Sequence, residues 1–441
     1  MIEQATYIAK IMRIQKGIFY QKKPFHTSSD NDQPSNDCFA ILFLRISNNA
    51  TAYHVSEALN SLWEMYKDLE KGNVPHLPGC PIPSGGLSVL MAFGPSIFNI
   101  PAVTRNIPRD FKDKQFLEPV AGGPILEGSG IKYAHDLHEN LGTTEYIAFQ
   151  FISRTQLATN RAIVETWKHL SNIESSKRIL NFTTFFTGFQ RDDGRSWLGF
   201  HDQVSNMPNP KERKNAIVID TVKNDLVHRD FWTAGGTYLA FLRTEIDLNI
   251  WEKIERKQQE IIVGREKLTG IPLVGVDKQG NPIAREECLP ASEIRTFNKR
   301  FHNHPDYFKK PKFSNKMKAM IDVDASIRIL SHSHIGRTRH IDHIGSENPT
   351  SRRIFRQGFE FVEPLYDNSS RQLRVGLNFI SFQNNPGRLF FILTDPNWLG
   401  KTNFGGTEHV QGMKDFLSVL AAGVFFVPPI EKPFPGASIF Q

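Results

Sequence analysis

A chain of 441 residues is long enough for two domains or one large duplicated one, and 39 % hydrophobic with 22 % charged residues is the composition of a soluble globular protein, which argues against global disorder. Its 53 Lys and Arg against 46 Asp and Glu leave +7, spread along the chain without a basic tail or basic helix, so nucleic acid is not an expected partner. Cys38, Cys80 and Cys288 lie far apart and in no CxxC pair, which speaks against a disulfide framework or a cysteine zinc site; no window offers the ~18 apolar residues of a membrane span, and the N-terminus lacks the apolar core of a signal peptide, so a cytoplasmic protein with no membrane partner is expected.

Residues 25–37 (FHTSSDNDQPSND) are polar and turn-rich, predicting a linker behind an N-terminal arm, with 1–37 outside the first domain and order beginning at Cys38. CFAILFLRI is a nearly continuous apolar run, the pattern of a buried strand. Val55, Leu59, Leu62, Trp63, Tyr66 and Leu69 then recur at helical spacing. GGLSVLMAF is the next predicted strand, and EYIAFQFI follows after a long polar insertion. Leu157, Ala158, Ala162, Ile163, Thr166, Trp167 and Leu170 mark a second helix, and NFTTFFTGF another strand. This βαββαβ order over 38–230 is the ferredoxin-like pattern.

The second half, 231–441, opens in the same way. GGTYLAFLRTEI reads as a strand, and Leu248, Trp251, Ile254 and Ile261 share a helix face. Residues 264–345, rich in Pro, Gly, Lys and His, are expected to form a long connection. GLNFISFQ and AAGVFFVPP are later strands, and PFPGASIFQ is expected as an exposed tail. The predicted class is α+β: two ferredoxin-like βαββαβ halves with antiparallel sheets around one shared site.

Three stretches carry side chains suited to chemistry. His302, His304, His332, His334, His340 and His343 cluster within 42 positions, yet their spacing fits neither HExxH nor a Cys/His knuckle, and most histidines in such a segment face solvent. SRRIFRQGFEF brings Arg352, Arg353 and Arg356, permanent cations with a fork of donors; the alternative is a solvated basic strand end. SWLGFHDQVSN places His201 and Asp202 after a glycine–aromatic pair, which suits a tight loop pinning one carboxylate, although a lone Asp in a loop is commonly a turn former or cap.

Taken together and in this order, the stretches resemble the dye-decolourising peroxidases. GFHDQVSN resembles that family's GxxDG motif, SHSHIGRTR the segment presenting the proximal histidine, and RRIFRQGFEF the segment carrying the distal arginine. LSVLMAFGPSIF, FWTAGGTYLAFLR, IIVGREKLTGIPL, GLNFISFQ and AAGVFFVPP are similar to flanking family segments, so the resemblance runs from about residue 38 to about residue 430. It implies a haem b (iron) pocket enclosed by the two halves, with His334 as the iron ligand, Asp202 and Arg356 as distal catalytic groups, and Leu377 and Phe379 over the distal pocket.

The implied partners are hydrogen peroxide and a small aromatic or dye reductant oxidised one electron at a time; self-association into a homo-oligomer is left open. A haem-binding or haem-processing protein with little turnover is the alternative. His332 rivals His334, since on a strand two residues apart both would point the same way; the resemblance selects His334. Two departures stand out. Gln203 replaces the final Gly of GxxDG, and Gly336 stands where many members have Arg, leaving Arg337 and Arg339 to meet the haem propionates. Trp232, Trp251, Trp398 and Tyr238 are expected to pack in the core rather than carry electrons.

Overall fold

The computed structural model describes residues 15, 18, 37–112, 132–133, 147–191, 193–201, 210–220, 230–268, 270–284, 315–339, 353–365, 372–394 and 416–441. In chain order the first half contains β1 (Cys38–Ile46), α1 (Ala52–Glu70), β2 (Ser88–Phe93), β3 (Lys132–Tyr133), β4 (Ile147–Ser153), α2 (Gln156–Ser171) and β5 (Leu180–Phe189), followed by α3 (Pro210–Ile217). The second half contains β6 (Thr237–Ile246), α4 (Leu248–Trp251), α5 (Arg256–Val263), β7 (Leu273–Val276), β8 (Pro282–Ala284), α6 (Asn315–Met320), α7 (Val323–Ser331), α8 (His334–Arg339), β9 (Phe355–Pro364), β10 (Leu373–Gln383), α9 (Gly387–Thr394) and β11 (Leu417–Val427). The predicted elements at β1, α1, α2 and β6 all form. Among the described residues no helix is long and apolar enough to cross a membrane.

Strands β2-β4-β1-β5 form one antiparallel sheet and β9-β10-β6-β11 the other. Counting the four strands within each half, both sheets have the order second, third, first, fourth, which is the ferredoxin-like arrangement. The sheets meet edge to edge at two seams, each with a single ladder pair: Phe189 opposite Glu360 between β5 and β9, and Phe426 opposite Phe93 between β11 and β2. Among the described residues eight strands therefore close into a barrel, with β3 added on β11.

Strand alternation sorts the apolar residues into two layers. Phe39, Ile41, Phe43, Leu90, Ala148, Phe186, Leu239, Phe241, Ile380, Phe382 and Phe425 fill the barrel interior. The opposite faces meet the helices: Val55, Leu59, Leu62, Tyr66 and Leu69 of α1 pack with Leu42, Phe149 and Phe151. Each such large apolar side chain contributes roughly 1.5–3 kcal/mol on full burial. Trp232, Trp251 and Tyr238 are buried, as expected for core residues; Trp398 lies outside the described residues.

Both seams are completed by side-chain amides. On the stretch read as an arm, Gln15 is buried: its Nε2 donates to Met91 O (3.1 Å) and Pro428 O (3.0 Å), and its Oε1 accepts from Met91 N (2.9 Å). The amide thus joins β2 to the end of β11 where the two barely pair, and Ile18 enters the interior cluster. At the other seam Asn378 Nδ2 donates to Thr187 O (2.8 Å), and Asn378 Oδ1 accepts from Arg243 Nη1 (2.7 Å). The Arg243 guanidinium is sandwiched between Phe361 of β9 and Phe186 of β5, 3.6 and 4.6 Å from the ring centres.

Two expectations are corrected. The 264–345 stretch is more than a connection: it contains the β7–β8 hairpin and α6 to α8. Asp322 caps α7 by accepting from Ala325 N (3.0 Å), and Val276 N donates to Ser326 Oγ (3.0 Å), so the hairpin holds the helix. The terminal PFPGASIFQ is not an exposed tail. Phe434, Ala437, Ile439 and Phe440 are buried in the α1-side core, with Phe440 edge-on to Phe93. Spaced apolar residues give this segment a face to bury, even though its Pro and Gly resemble punctuation.

Candidate active site

The register of β9, β10 and β6 fixes one wall. Ser381 lies opposite Arg356 and Ala240, Phe379 opposite Gly358 and Leu242, and Leu377 opposite Glu360 and Thr244. All these positions share the face turned away from the barrel interior, because their neighbours Ile380, Phe382 and Phe359 fill that interior. Arg356, Leu377 and Phe379 are thus brought onto one surface. Gly358, between Arg356 and Glu360 on that face, adds no side chain beside the Phe379 ring. Leu377 and Phe379 are only partly buried, an apolar surface the protein does not itself fully cover.

The second wall is helical. α7 ends at His332, whose backbone is still right-handed (φ −88°, ψ −7°) and whose side chain is exposed; α8 begins at His334. The two histidines therefore do not lie on a strand. A helix junction separates them and draws only His334 inward: part of that residue remains open, but its Nδ1 is sealed from solvent. Burial, reinforced by the positive charges of Arg356 and then Arg265, pushes the His334 imidazole down to about 3, so it stands neutral with a lone pair to offer a metal. The same charges place Arg356 and Arg265 within electrostatic reach of that ring.

Ser333 builds the junction. Its Oγ donates to Leu330 O (2.7 Å) and accepts from Gly336 N (3.0 Å), capping α8. At Gly336 an added Cβ would fall 2.0 Å from Leu330 O, so the backbones meet too closely for any side chain. The arginine found at this place in many family members has no room in this junction. Replacing Gly336 with Ala is expected to cost about 1–3 kcal/mol of overpacking and to loosen the His334 helix, seen as a lower apoprotein melting temperature and weaker haem retention. Unchanged values for both would show that the junction relaxes freely.

The helix leading into this site, α5, stops at Gly264, which adopts the left-handed conformation (φ +80°); a Cβ there would lie 2.5 Å from Ser333 Oγ. The turn that follows it also reaches the first half. Arg195 Nη1 donates to Gly199 O (2.7 Å) and Lys267 O (2.8 Å), and its Nη2 to Leu268 O (2.7 Å). Trp251 Nε1 donates to Leu198 O (3.1 Å), and Arg195 and His201 form a β-bridge. Burial and the Arg195 charge push the His201 ring down to about 4.

Asp202 and Gln203 lie outside the described residues, as do His302, His304, His340, His343 and Arg352. Arg337 and Arg339 lie on the backbone of α8, and their side chains fall outside the description. Among the described residues no group of three or more His, Cys, Asp or Glu is placed to hold a metal ion. An inward-drawn imidazole beside an apolar wall would suit an iron held mainly by a macrocycle. Neither Arg195 nor Arg265 stands out in the sequence, although Arg265 belongs to the family-like IIVGREKLTGIPL stretch.

Residues 193–432 match the family model described as Dyp-type peroxidase, C-terminal. Among curated proteins, a Deferrochelatase of Shigella flexneri serotype 5b is 22 % identical over 288 residues, covering 64 % of this chain and 55 % of that protein. A Deferrochelatase of Escherichia coli strain K12 is 23 % identical over 232 residues, 53 % of this chain and 42 % of that protein. The chain thus spans about half the length of the curated relatives it matches. Among solved structures, ferric DtpA from Streptomyces lividans aligns with a TM-score of 0.61 at 17 % identity, covering 95 % of this chain and 97 % of its own. A DyP-type peroxidase from Streptomyces coelicolor gives 0.58 at 17 %, covering 94 % and 95 %. A single-residue variant of DypB from Rhodococcus jostii RHA1, in complex with heme, gives 0.52 at 16 %, covering 92 % and 96 %. These structures share the fold, and the family model covers more than half of the sequence: the chain belongs to the Dyp-type peroxidase family.

Proposed function

We propose that this protein is a haem b peroxidase that reduces hydrogen peroxide and oxidises small aromatic or dye reductants in one-electron steps. The observation that carries this reading is the His334 side chain, drawn inward at the start of α8 with its Nδ1 sealed from solvent, together with Arg356 on a sheet face that also bears the partly uncovered Leu377 and Phe379 of β10. The residues fit haem: a neutral imidazole is a competent iron ligand, and an uncovered apolar wall suits a flat, largely apolar ring system. Bound haem supplies a redox-active iron that accepts oxidising equivalents from peroxide and returns them to a reductant.

The protein's own groups do the rest. The His334 ring nitrogen would hold the iron, with α8 fixed by Ser333 and the Gly264 turn. An Asp202 carboxylate oxygen takes a proton from the peroxide and gives it to the departing oxygen, a role suited to a group with an unperturbed pKa of about 3.9. The Arg356 guanidinium, always charged, stabilises the negative charge that grows on that oxygen. A cytoplasmic setting is part of the same proposal, supported by Cys38 and Cys80, which stand as thiols rather than in a disulfide.

One experiment tests the reading. Titration of the protein with haem is expected to give a Soret band saturating at about one haem per chain, as a single axial ligand implies, followed by peroxide-dependent oxidation of an anthraquinone dye. A folded protein that stays colourless after reconstitution would remove the proposal. Stoichiometric haem without peroxide turnover would leave a haem-binding or haem-processing protein in its place.

A further inference from the structure

We propose that Arg195 is a positioning residue that locks the loop running into Asp202 onto the turn that supports the His334 helix. This inference rests on the reading above that Asp202 and His334 serve one site. The geometry is that of a fork spanning two loops. One guanidinium reaches Gly199 O in its own loop, and Lys267 O and Leu268 O, 72 and 73 positions away in sequence. The second loop begins at Gly264, which abuts Ser333 and Ile335 at the start of α8. The first reaches His201, the neighbour of Asp202, and is held to the β-bridge between Arg195 and His201.

Other contacts press the same two loops together. Gly199 adopts φ +83°, and a Cβ there would meet Lys267 Cε at 2.7 Å, so the loops touch where a side chain would separate them. Lys267 is tied in turn to α5, through Lys267 N to Glu260 Oε1 (3.0 Å) and Lys267 Nζ to Gln259 Oε1 (2.5 Å). Three backbone carbonyls converging on one planar cation are a demand that arginine meets and lysine does not: an ammonium presents a point charge with three tetrahedral donors, not a flat fan. Among the described residues the guanidinium's hydrogen-bond partners are main-chain carbonyls of the two loops, so its role is to position. It acts through the distance between the two sides of the site, and displacement of about 1 Å in such a group can cost up to roughly 100-fold in rate.

The test compares Arg195→Ala and Arg195→Lys with the parent holoprotein in two measurements. Hydrogen exchange reads the amides of Ser196, Gly199, Glu266 and Gly270, all hydrogen-bonded within these loops. Both variants are expected to exchange faster in both loops, with the β1–β4 ladder unchanged and the haem band retained. Stopped-flow mixing with hydrogen peroxide is expected to show the Ala variant slowed about 10- to 100-fold, partly restored by free guanidinium but not by methylammonium. In an Asp202→Asn background the Arg195→Ala change should have little further effect, because the residue acts through that carboxylate.

Faster exchange in only one loop, or a slowing that persists undiminished in the Asp202→Asn background, would overturn the proposal. So would exchange that rises in both loops with peroxide kinetics equal to the parent. Failure of the haem reading looks different: the parent itself would lack the Soret band. An Asp202→Asn variant as fast as the parent would remove the carboxylate's role and this proposal with it, while leaving haem binding intact.

Discussion

His334→Ala is expected to abolish tight haem binding, whereas His332→Ala should leave haem affinity and the axial-ligand spectrum nearly unchanged. The contrast follows from the helix junction. His332 is exposed at the end of α7, and His334 opens α8 with its Nδ1 sealed from solvent. The second ring is the one that feels the Arg356 charge, and its neutrality at ordinary pH means that no proton must be displaced for it to bind iron. Titration of each variant with haem, read by absorbance and by low-temperature electron paramagnetic resonance, checks this. Loss of the axial-histidine signal in the His332 variant would shift the ligand by two residues and undo the sequence alignment on which it rests.

The second large effect belongs to Arg356. Arg356→Leu should keep about one haem per chain but slow the reaction with hydrogen peroxide by roughly 10²–10³-fold, the size found when a fixed donor or charge at a developing anion is removed. Its place on β9, opposite Ser381 and two residues from Gly358, roots the side chain on a rigid sheet rather than on a loop. Removing a positive charge that bears on His334 also makes that imidazole easier to protonate, so the variant's haem retention should be measured across pH beside its rate. Asp202→Asn is expected to slow the same step by up to roughly 10²–10⁴-fold, and by less if Gln203 relays the proton through water in its place. A rate equal to the parent in both variants would remove the distal assignments while sparing the haem site.

Much of the fold could be read from local pattern. CFAILFLRI could hardly be anything but a buried strand, and the spacing of Val55, Leu59, Leu62, Tyr66 and Leu69 announced α1. The closure of the barrel could not be read, because among the described residues each seam has one ladder pair and is otherwise joined through side chains, and Gln15 and Met91 are 76 positions apart. Periodicity carries no trace of such a contact. The helices α7 and α8 were hidden in a stretch whose Pro, Gly and His content suggested a connection, and that concealment made His332 and His334 look equivalent. PFPGASIFQ misled for a related reason: its apolar residues pack on α1 and β2, a surface assembled from the opposite end of the chain.

At the site, family-like motifs picked out Arg356, Leu377 and Phe379, which the structure brings onto one sheet face, and the histidine that the helix junction draws inward. They gave no sign of Arg195, whose guanidinium bonds to main-chain carbonyls, groups that carry no sequence identity. Gly336 was visible as a departure from the family pattern, but its cause was not, since the carbonyl it accommodates belongs to a helix that the pattern had not announced.

The barrel's inner lining bears on how the chain acquires its shape. Phe43 of β1 touches Phe186 of its own half but also Phe241 and Phe425 of the other, with ring centres 5.7–6.3 Å apart. A half-molecule made alone would present this aromatic face to water, so either half expressed by itself is expected to be less stable and prone to aggregate despite the matching topology. Each half lines the other's interior, and the sheet bearing Arg356, Leu377 and Phe379 rests on that shared lining.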